Sequence, residues 1–215
     1  MKIRESGMPK EKIWEGFFNP VKILKILGMN KSICDVAEFG GGFGTFTIPA
    51  AKMISGKIYA IDLELEMLEI TRNKTIEKKL ENVVTIQRDF LTKGSSLNSE
   101  SVDYVMLFNI LHGEEPERLF EESWRILKPN GILGIIHWNY DPKTARGPPM
   151  EIRIKPEQCI KLARSSGFVN PKKYDLKPYH YGITLKNNLI LFKGSLYFGL
   201  LFSIQIFRDP VTNLG

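Results

Sequence analysis

Gly40, Gly41, Gly42 and Gly44 follow directly on an apolar run, Ile33 to Phe39, and this junction constrains the chain more than any other stretch. The run alternates too weakly for a strand with one wet face and suits one buried on both faces. After the glycines comes a helix-like segment from about Thr45 to Met53, then a second apolar run, Lys57–Ile61, closed by Asp62. Strand, glycine turn, helix, strand and acid make half of a mononucleotide-binding α/β unit. The glycines divide the work: one turns sharply off the strand, one admits a ligand to the backbone, and one lets the helix start close to the sheet.

The alternation continues. Leu65–Lys79 reads as a helix, Asn82–Gln87 as a strand ending in Arg88-Asp89-Phe90, and Thr92–Ser101 as a polar loop. Val102–Phe108 is another buried strand, closed by Asn109-Ile110-Leu111-His112. Pro116 opens a helix to Leu127, and Pro129-Asn130-Gly131 turns into the strand Ile132–Trp138. Beyond the proline-rich loop Asp141–Pro149, Pro156–Ser166 is helical with Gly167 as its stop, and Val169–Asp175 and Tyr181–Lys186 supply the last strands. Ahead of all this, Pro9–Gly28 predicts two short helices, with Asn19 as a cap and Ile13, Trp14, Phe17 and Phe18 on one apolar face. That face is either core or a lid over the ligand. The expected class is α/β, with helices on both faces of an open, mostly parallel sheet.

A chain of 215 residues predicts one domain with small appendages. The divisions expected are an N-terminal helical lid over 1–30, the α/β domain over 31–187 and an apolar C-terminal extension over 188–215. In that extension Leu189–Phe207 is almost wholly apolar, but its uninterrupted part is short for a membrane span and Lys193 sits inside it. A packed element or subunit contact is the first reading, and membrane association the second. The net charge of +6 is modest and follows from lysine-rich solvated faces, with a weak bias toward an acidic ligand, nucleic acid or anionic membrane surface. Cys34 and Cys159 are far apart in apolar settings, which excludes a disulfide framework and a cysteine-based zinc site. Both are expected to be buried thiols in a reducing, cytoplasmic compartment, with no metal site. MKIRESGMPK has no long apolar region, so no secretory signal is expected.

In parallel sheets the ligand sits beyond the carboxyl ends of the strands. Those ends carry Glu38 to Gly44, Asp62, Asp89, Asn109–His112 and His137–Asn139. Asp62 is placed to accept hydrogen bonds from ribose hydroxyls. Asp89-Phe90 pairs a carboxylate for an adenine amine with an aromatic wall. The glycine spacing is G-x-G-x-G, with Thr45 where a dinucleotide site has its third glycine, and the triphosphate loop G-x-x-x-x-G-K-[ST] is absent from the sequence. Glu38 beside the glycines would repel a pyrophosphate and suits a ligand with a cationic centre and an ammonium group.

With these residues in view, the chain resembles the class I S-adenosylmethionine-dependent methyltransferases. VAEFGGGFGT looks like their glycine motif, Asp62 like the acid ending their second strand, and Arg88-Asp89-Phe90 like their adenine-contact segment. SVDYVMLFNILHG looks like their fourth strand, and ESWRILKPNGILGI like the helix, turn and fifth strand after it. The likeness runs over roughly Ile33–Trp138 and is nearest to small-molecule enzymes of the quinone-biosynthesis type. It implies a three-layer Rossmann-like sandwich with a seven-stranded, mostly parallel sheet and an antiparallel last strand. It also implies S-adenosyl-L-methionine as cofactor and S-adenosyl-L-homocysteine as product. Glu38, Phe39, Gly40, Gly42 and Gly44 would lie by the methionine part, Asp62 and Leu63 by the ribose, Asp89 and Phe90 by adenine, and Asn109 and Leu111 near the methyl. Glu38 departs from the Asp of many members.

The expected reaction is in-line transfer of the methyl to a small-molecule acceptor, driven by alignment and exclusion of water. His112 is the expected base where the acceptor must lose a proton, with His137 as the other histidine of the core region. Trp14, Phe17 or Phe18, Trp138, Tyr140 and Arg146 are the expected acceptor pocket, and Arg153 and Lys155 are further cations for an anionic acceptor. His180 is a candidate at the mouth. A nucleic-acid substrate is disfavoured because Asn109-Ile110-Leu111-His112 is not the Asn/Asp-Pro-Pro-aromatic motif of amino-methylating enzymes. A protein substrate, a non-catalytic scaffold and a nicotinamide oxidoreductase are the competing readings.

Overall fold

The computed structural model describes residues 11, 14, 16–113, 115–144 and 147–188. Their strands are β1 (Val36–Phe39), β2 (Ile58–Asp62), β3 (Val83–Gln87), β4 (Val102–Phe108), β5 (Leu127–Trp138), β6 (Phe168–Leu176) and β7 (His180–Asn187). They form one sheet in the order β3-β2-β1-β4-β5-β7-β6. β1 through β5 run parallel, and β7 inserts antiparallel between β5 and β6. The sheet is the expected one, antiparallel last strand included.

The helices are α1 (Pro20–Ile26), α2 (Thr47–Met53), α3 (Leu65–Glu77), α4 (Phe90–Lys93), α5 (Pro116–Ile126) and α6 (Pro156–Ser165). Asn19 caps α1 by accepting a hydrogen bond from the Lys22 amide, ahead of a first-turn proline. Every residue of β1 is buried, because helices cover both sheet faces. On one face, Leu119, Phe120 and Ile126 of α5 and Cys159 and Ala163 of α6 join Ala37, Val105 and Ile135 in one core cluster. On the other, Ile23 and Leu24 of α1 and Ala50 and Ala51 of α2 cover Val36, Met106 and Ile136.

Three expectations change. Cys34 is exposed, just before β1, while Cys159 is buried as expected. An apolar neighbourhood in sequence does not bury a residue that precedes its strand. Asp89 nucleates the short helix α4 by accepting from the Thr92 amide, where a plain loop is expected. The Pro129-Asn130-Gly131 turn is a bulge within β5: pairing to β4 passes from Val102–Leu127 to Tyr104–Ile132, with Asn130 at φ 64°. The first N-terminal helix falls largely outside the described residues, as does Leu189–Phe207. Among the described residues no helix is long and apolar enough to cross a membrane.

Candidate functional site

The strand order reverses direction between β1 and β4, and open α/β sheets place ligands at that switch point. The glycine loop leaves β1 on one side of it and Asn109 leaves β4 on the other. Gly40, Gly42 and Gly44 have φ of 70°, 53° and 73°, in the left-handed region that glycine alone enters freely. A Cβ at Gly40 would also stand 2.8 Å from Ile110 Cγ2. The alternate glycines of the G-x-G-x-G spacing are therefore required by the backbone.

Gly41 is different. Its φ is ordinary, and a Cβ there would meet Ala60 Cβ, Thr47 Oγ1 and Glu38 Oε2 at 3.5, 3.5 and 3.6 Å, all comfortable contacts. The fold does not demand glycine at 41. A bare backbone facing a carboxylate suits close approach by a ligand.

Glu38 is 3% exposed, and the Thr47 hydroxyl donates a short hydrogen bond to its Oε2. Burial pushes the Glu38 carboxyl up to about 8, opposed by the Thr47 bond and assisted by Asp62. Asp62 Oδ2 accepts from the Gly42 amide at 2.9 Å and Oδ1 from the Glu64 amide at 3.0 Å, joining the loop to the start of α3. Burial raises its pKa too, against those amide bonds. From α3, Thr71 Oγ1 donates to Gly42 O at 2.9 Å and Lys74 Nζ to Phe43 O at 2.9 Å. Lys74 also pairs with Glu11, tying the N-terminal segment to the glycine loop. Thr47, Thr71 and Lys74 escape motif reading because they act from neighbouring helices, Thr47 on Glu38 and the other two on loop carbonyls.

Asn109 is 7% exposed with φ 58°, and neither side-chain amide atom has a hydrogen-bond partner among the described residues. Its backbone N–H donates to Ile136 O. Buried amides are normally satisfied, so this one points to a ligand. Two further cofactor candidates are core residues first: Phe39 is fully buried, and Phe90 packs edge-on to it at 5.2 Å. Leu63 is half-buried and Leu111 is 3% exposed. Asp89, beyond β3, has its pKa held down chiefly by the Thr92 side chain.

A second group of residues gathers at the end of β5 and the start of β7. Phe18 lies 5.0 Å from Trp14, 5.2 Å from Phe46 and 4.6 Å from His180, ring centre to ring centre. Trp138 lies 5.3 Å from Phe17 and 4.3 Å from His180, its cross-strand neighbour. Tyr179 touches Phe17 at 5.7 Å, and Phe46 touches Phe108 at 4.9 Å. Trp14, Phe18 and Trp138 are thus brought together, and Phe46, Phe108 and Tyr179 join them unforeseen. Tyr140 is exposed, with Lys155 Nζ 4.4 Å above its ring. Arg153 is buried and donates to the carbonyls of Pro148, Asn139 and Asp141, with its guanidinium 5.8 Å over Trp138. It pins the loop after β5. Arg146 lies outside the described residues.

His112 does not join that group. Its ring is 6.0 Å from His137, whose side chain lies on the opposite sheet face from Trp138 by strand alternation, beside Tyr181 at 6.2 Å. Burial, with His112 adding, pushes His137 down to about 3.

This sheet order, with a glycine loop and two buried acids at its switch point, is the arrangement implied by the resemblance to class I S-adenosylmethionine-dependent methyltransferases. Residues 36–131 match the methyltransferase domain family. A crystal structure of an S-adenosylmethionine-dependent methyltransferase from Aquifex aeolicus is 26% identical, with a TM-score of 0.73 over 86% of this chain and 96% of that one. A methyltransferase-like protein of Schizosaccharomyces pombe is 36% identical over 104 residues, 48% of this chain and 38% of its own length. A methyltransferase from the same organism is 28% identical over 163 residues, 67% of this chain and 62% of its own length. Both are uncharacterised, and the chain spans less than two thirds of either. The proteins so matched are methyltransferases or methyltransferase-like, and the Aquifex aeolicus one is S-adenosylmethionine-dependent.

Proposed function

We propose that the chain is a methyltransferase that transfers the methyl group of S-adenosyl-L-methionine to a small-molecule acceptor. When bound, the cofactor supplies an electrophilic methyl group on a cationic sulfur, open to in-line displacement. The observation that carries the reading is the buried Glu38 carboxylate facing a glycine the backbone does not require. That pairing suits a ligand bringing positive charge close to the backbone. Asp62, in β2 and held by the Gly42 and Glu64 amides, is the acceptor for ribose hydroxyls. Asn109, whose side-chain amide has no hydrogen-bond partner among the described residues, binds near the transferred group. The aromatic group at β5 and β7 excludes water and orients the acceptor. The quinone-biosynthesis likeness rests on the sequence motifs alone.

Calorimetric titration tests the reading. S-adenosyl-L-homocysteine should bind with one site per chain, and nicotinamide nucleotides should not. Binding of a nicotinamide nucleotide without S-adenosyl-L-homocysteine would show the reading to be wrong.

A further inference from the structure

Only one end of the sheet carries the candidate site, and the described chain leaves the fold at the other. Asn187 closes β7 there: it pairs with Phe168 at the start of β6, and its side chain donates to the Trp124 and Leu127 carbonyls. Residues 189–207 follow in the sequence. We propose that this end docks on an anionic lipid bilayer, with residues 189–207 entering its apolar boundary and exposed lysines meeting the head groups. Docking of this kind requires nothing of the methyl-transfer reading.

Lys193 is the one charge in 189–207, and 194–207 carries none. An apolar run of about 10–14 residues is short for a membrane span and suits an interfacial position. The described domain offers this run no cover. Helices already occupy both faces of the sheet. The neighbouring free edge, β6, is interrupted by Pro171 and by a bulge between Val169 and Lys172, devices that stop an added strand. Among the described residues the large apolar side chains left exposed are Val21, Ile26, Leu65, Ile76 and Tyr140. Val21 and Leu65 lie in the first turns of α1 and α3, Ile26 and Ile76 in their last turns, and Tyr140 follows β5. With α2 packed between α1 and α3, these side chains are spread over the surface and not joined in one face.

Charge completes the docking surface. The helices run against the parallel strands, so each crossover returns the chain to this end. Exposed lysines stand at these returns: Lys57 before β2, Lys78 and Lys79 after α3, and Lys186 near the end of β7. Lys25 joins them, because Tyr104 near the start of β4 donates to the Leu27 carbonyl and so holds the end of α1 here. Among the described residues the exposed acids of this end are fewer: Glu81, Glu100 and Glu77, the last paired with Lys78 at 3.5 Å. The helix dipole accounts for lysines in last helical turns, but Lys57 and Lys186 lie outside any helix. Nor does it account for Ile76, which is 70% exposed two residues before Lys78. An apolar side chain among lysines is the composition of an interfacial contact.

Apolar insertion and attraction to anionic lipid add together, and either by itself gives marginal attachment. Docked in this way, the molecule turns the glycine loop and the aromatic group toward water.

The test is flotation of the full chain with phosphatidylcholine vesicles, with and without about 30% phosphatidylserine. The chain should float with the anionic vesicles and bind the neutral ones about tenfold more weakly. Raising the salt from about 0.1 to about 0.5 M should remove most of that difference. Leu200→Glu with Leu201→Glu should weaken binding to both vesicles about tenfold, and Lys78→Glu with Lys79→Glu should weaken it only on the anionic ones. The lysine pair lies at the far end from the site, so its variant should keep S-adenosyl-L-homocysteine affinity within about twofold. Equal binding to both vesicle types, or no binding, overturns the inference and leaves methyl transfer standing. So does a discrete dimer by light scattering that ignores vesicles, which assigns residues 189–207 to a second copy. Failure of S-adenosyl-L-homocysteine to bind bears on the methyl-transfer reading alone.

Discussion

The two ends of the strand edge are built on different principles. At β1 and β2 the candidate site is made of backbone conformation and buried acids: three left-handed glycines, Glu38, Asp62 and the amides that hold it. At β5 and β7 it is made of side-chain packing: rings from the N-terminal segment, the start of α2, the end of β4 and the start of β7. The first kind allows little substitution, because φ and charge are all-or-none demands. The second tolerates exchange of one ring for another, and suits the part of an enzyme that distinguishes one acceptor from the next.

The sharpest break in this comparison is Asp62→Ala. It removes a carboxylate that holds the Gly42 amide of the loop and the Glu64 amide before α3, as well as the proposed ribose contact. S-adenosyl-L-homocysteine affinity should fall about 100-fold by calorimetry, as expected for loss of charge-assisted hydrogen bonds. A loss of under threefold would remove Asp62 from the site.

The paired variants Gly40→Ala and Gly41→Ala separate folding from binding within one loop. At 40 the added methyl meets Ile110 at 2.8 Å in a left-handed backbone, and stability to urea should drop by about 1–3 kcal/mol. At 41 stability should stay within about 0.5 kcal/mol while cofactor affinity falls about tenfold. Unaltered affinity in Gly41→Ala would show that the ligand does not approach there.

Glu38 makes binding depend on pH. Its carboxyl is raised to about 8 in the free protein, so it is mainly protonated at pH 7. A cationic ligand favours the ionised form, so affinity should rise with pH between about 6 and 8 and level off above, with proton release on binding below 8. Titrations at pH 7 in buffers of different ionisation enthalpy measure that proton directly. Glu38→Gln should flatten the profile. It should also raise stability near pH 8, because the raised carboxyl favours folding fully only below its ordinary range and loses that contribution as pH climbs toward 8.

The smallest effect is expected at His112. Its ring sits by His137, not by the aromatic group, so His112→Ala should leave cofactor affinity within about twofold. A larger loss than in Asp62→Ala would reverse the assignment of roles.

Sequence by itself determined the alternation of strands and helices and the loop at the end of β1, whereas the antiparallel strand was implied only by the family resemblance. The first two features are local: an apolar run followed by glycines, an acid closing a strand, a proline opening a helix. Each is written in residues a few positions apart, and the physical demand at each position admits few side chains. The G-x-G-x-G spacing coincides with the three glycines of left-handed φ. The aromatic group at β5 and β7 was only half legible. Trp14, Phe18 and Trp138 were nameable because large aromatics near strand ends are few. Phe46, Phe108 and Tyr179 were not singled out, and His180 was a candidate at the mouth with no partner named, until β7 was inserted between β5 and β6. That antiparallel insertion sets Trp138 against His180. The same strand alternation places His137, one residue away, on the other face with His112. Which of two neighbouring histidines meets the aromatic site is thus a matter of strand pairing across more than forty residues of chain, a relation that tertiary structure alone decides.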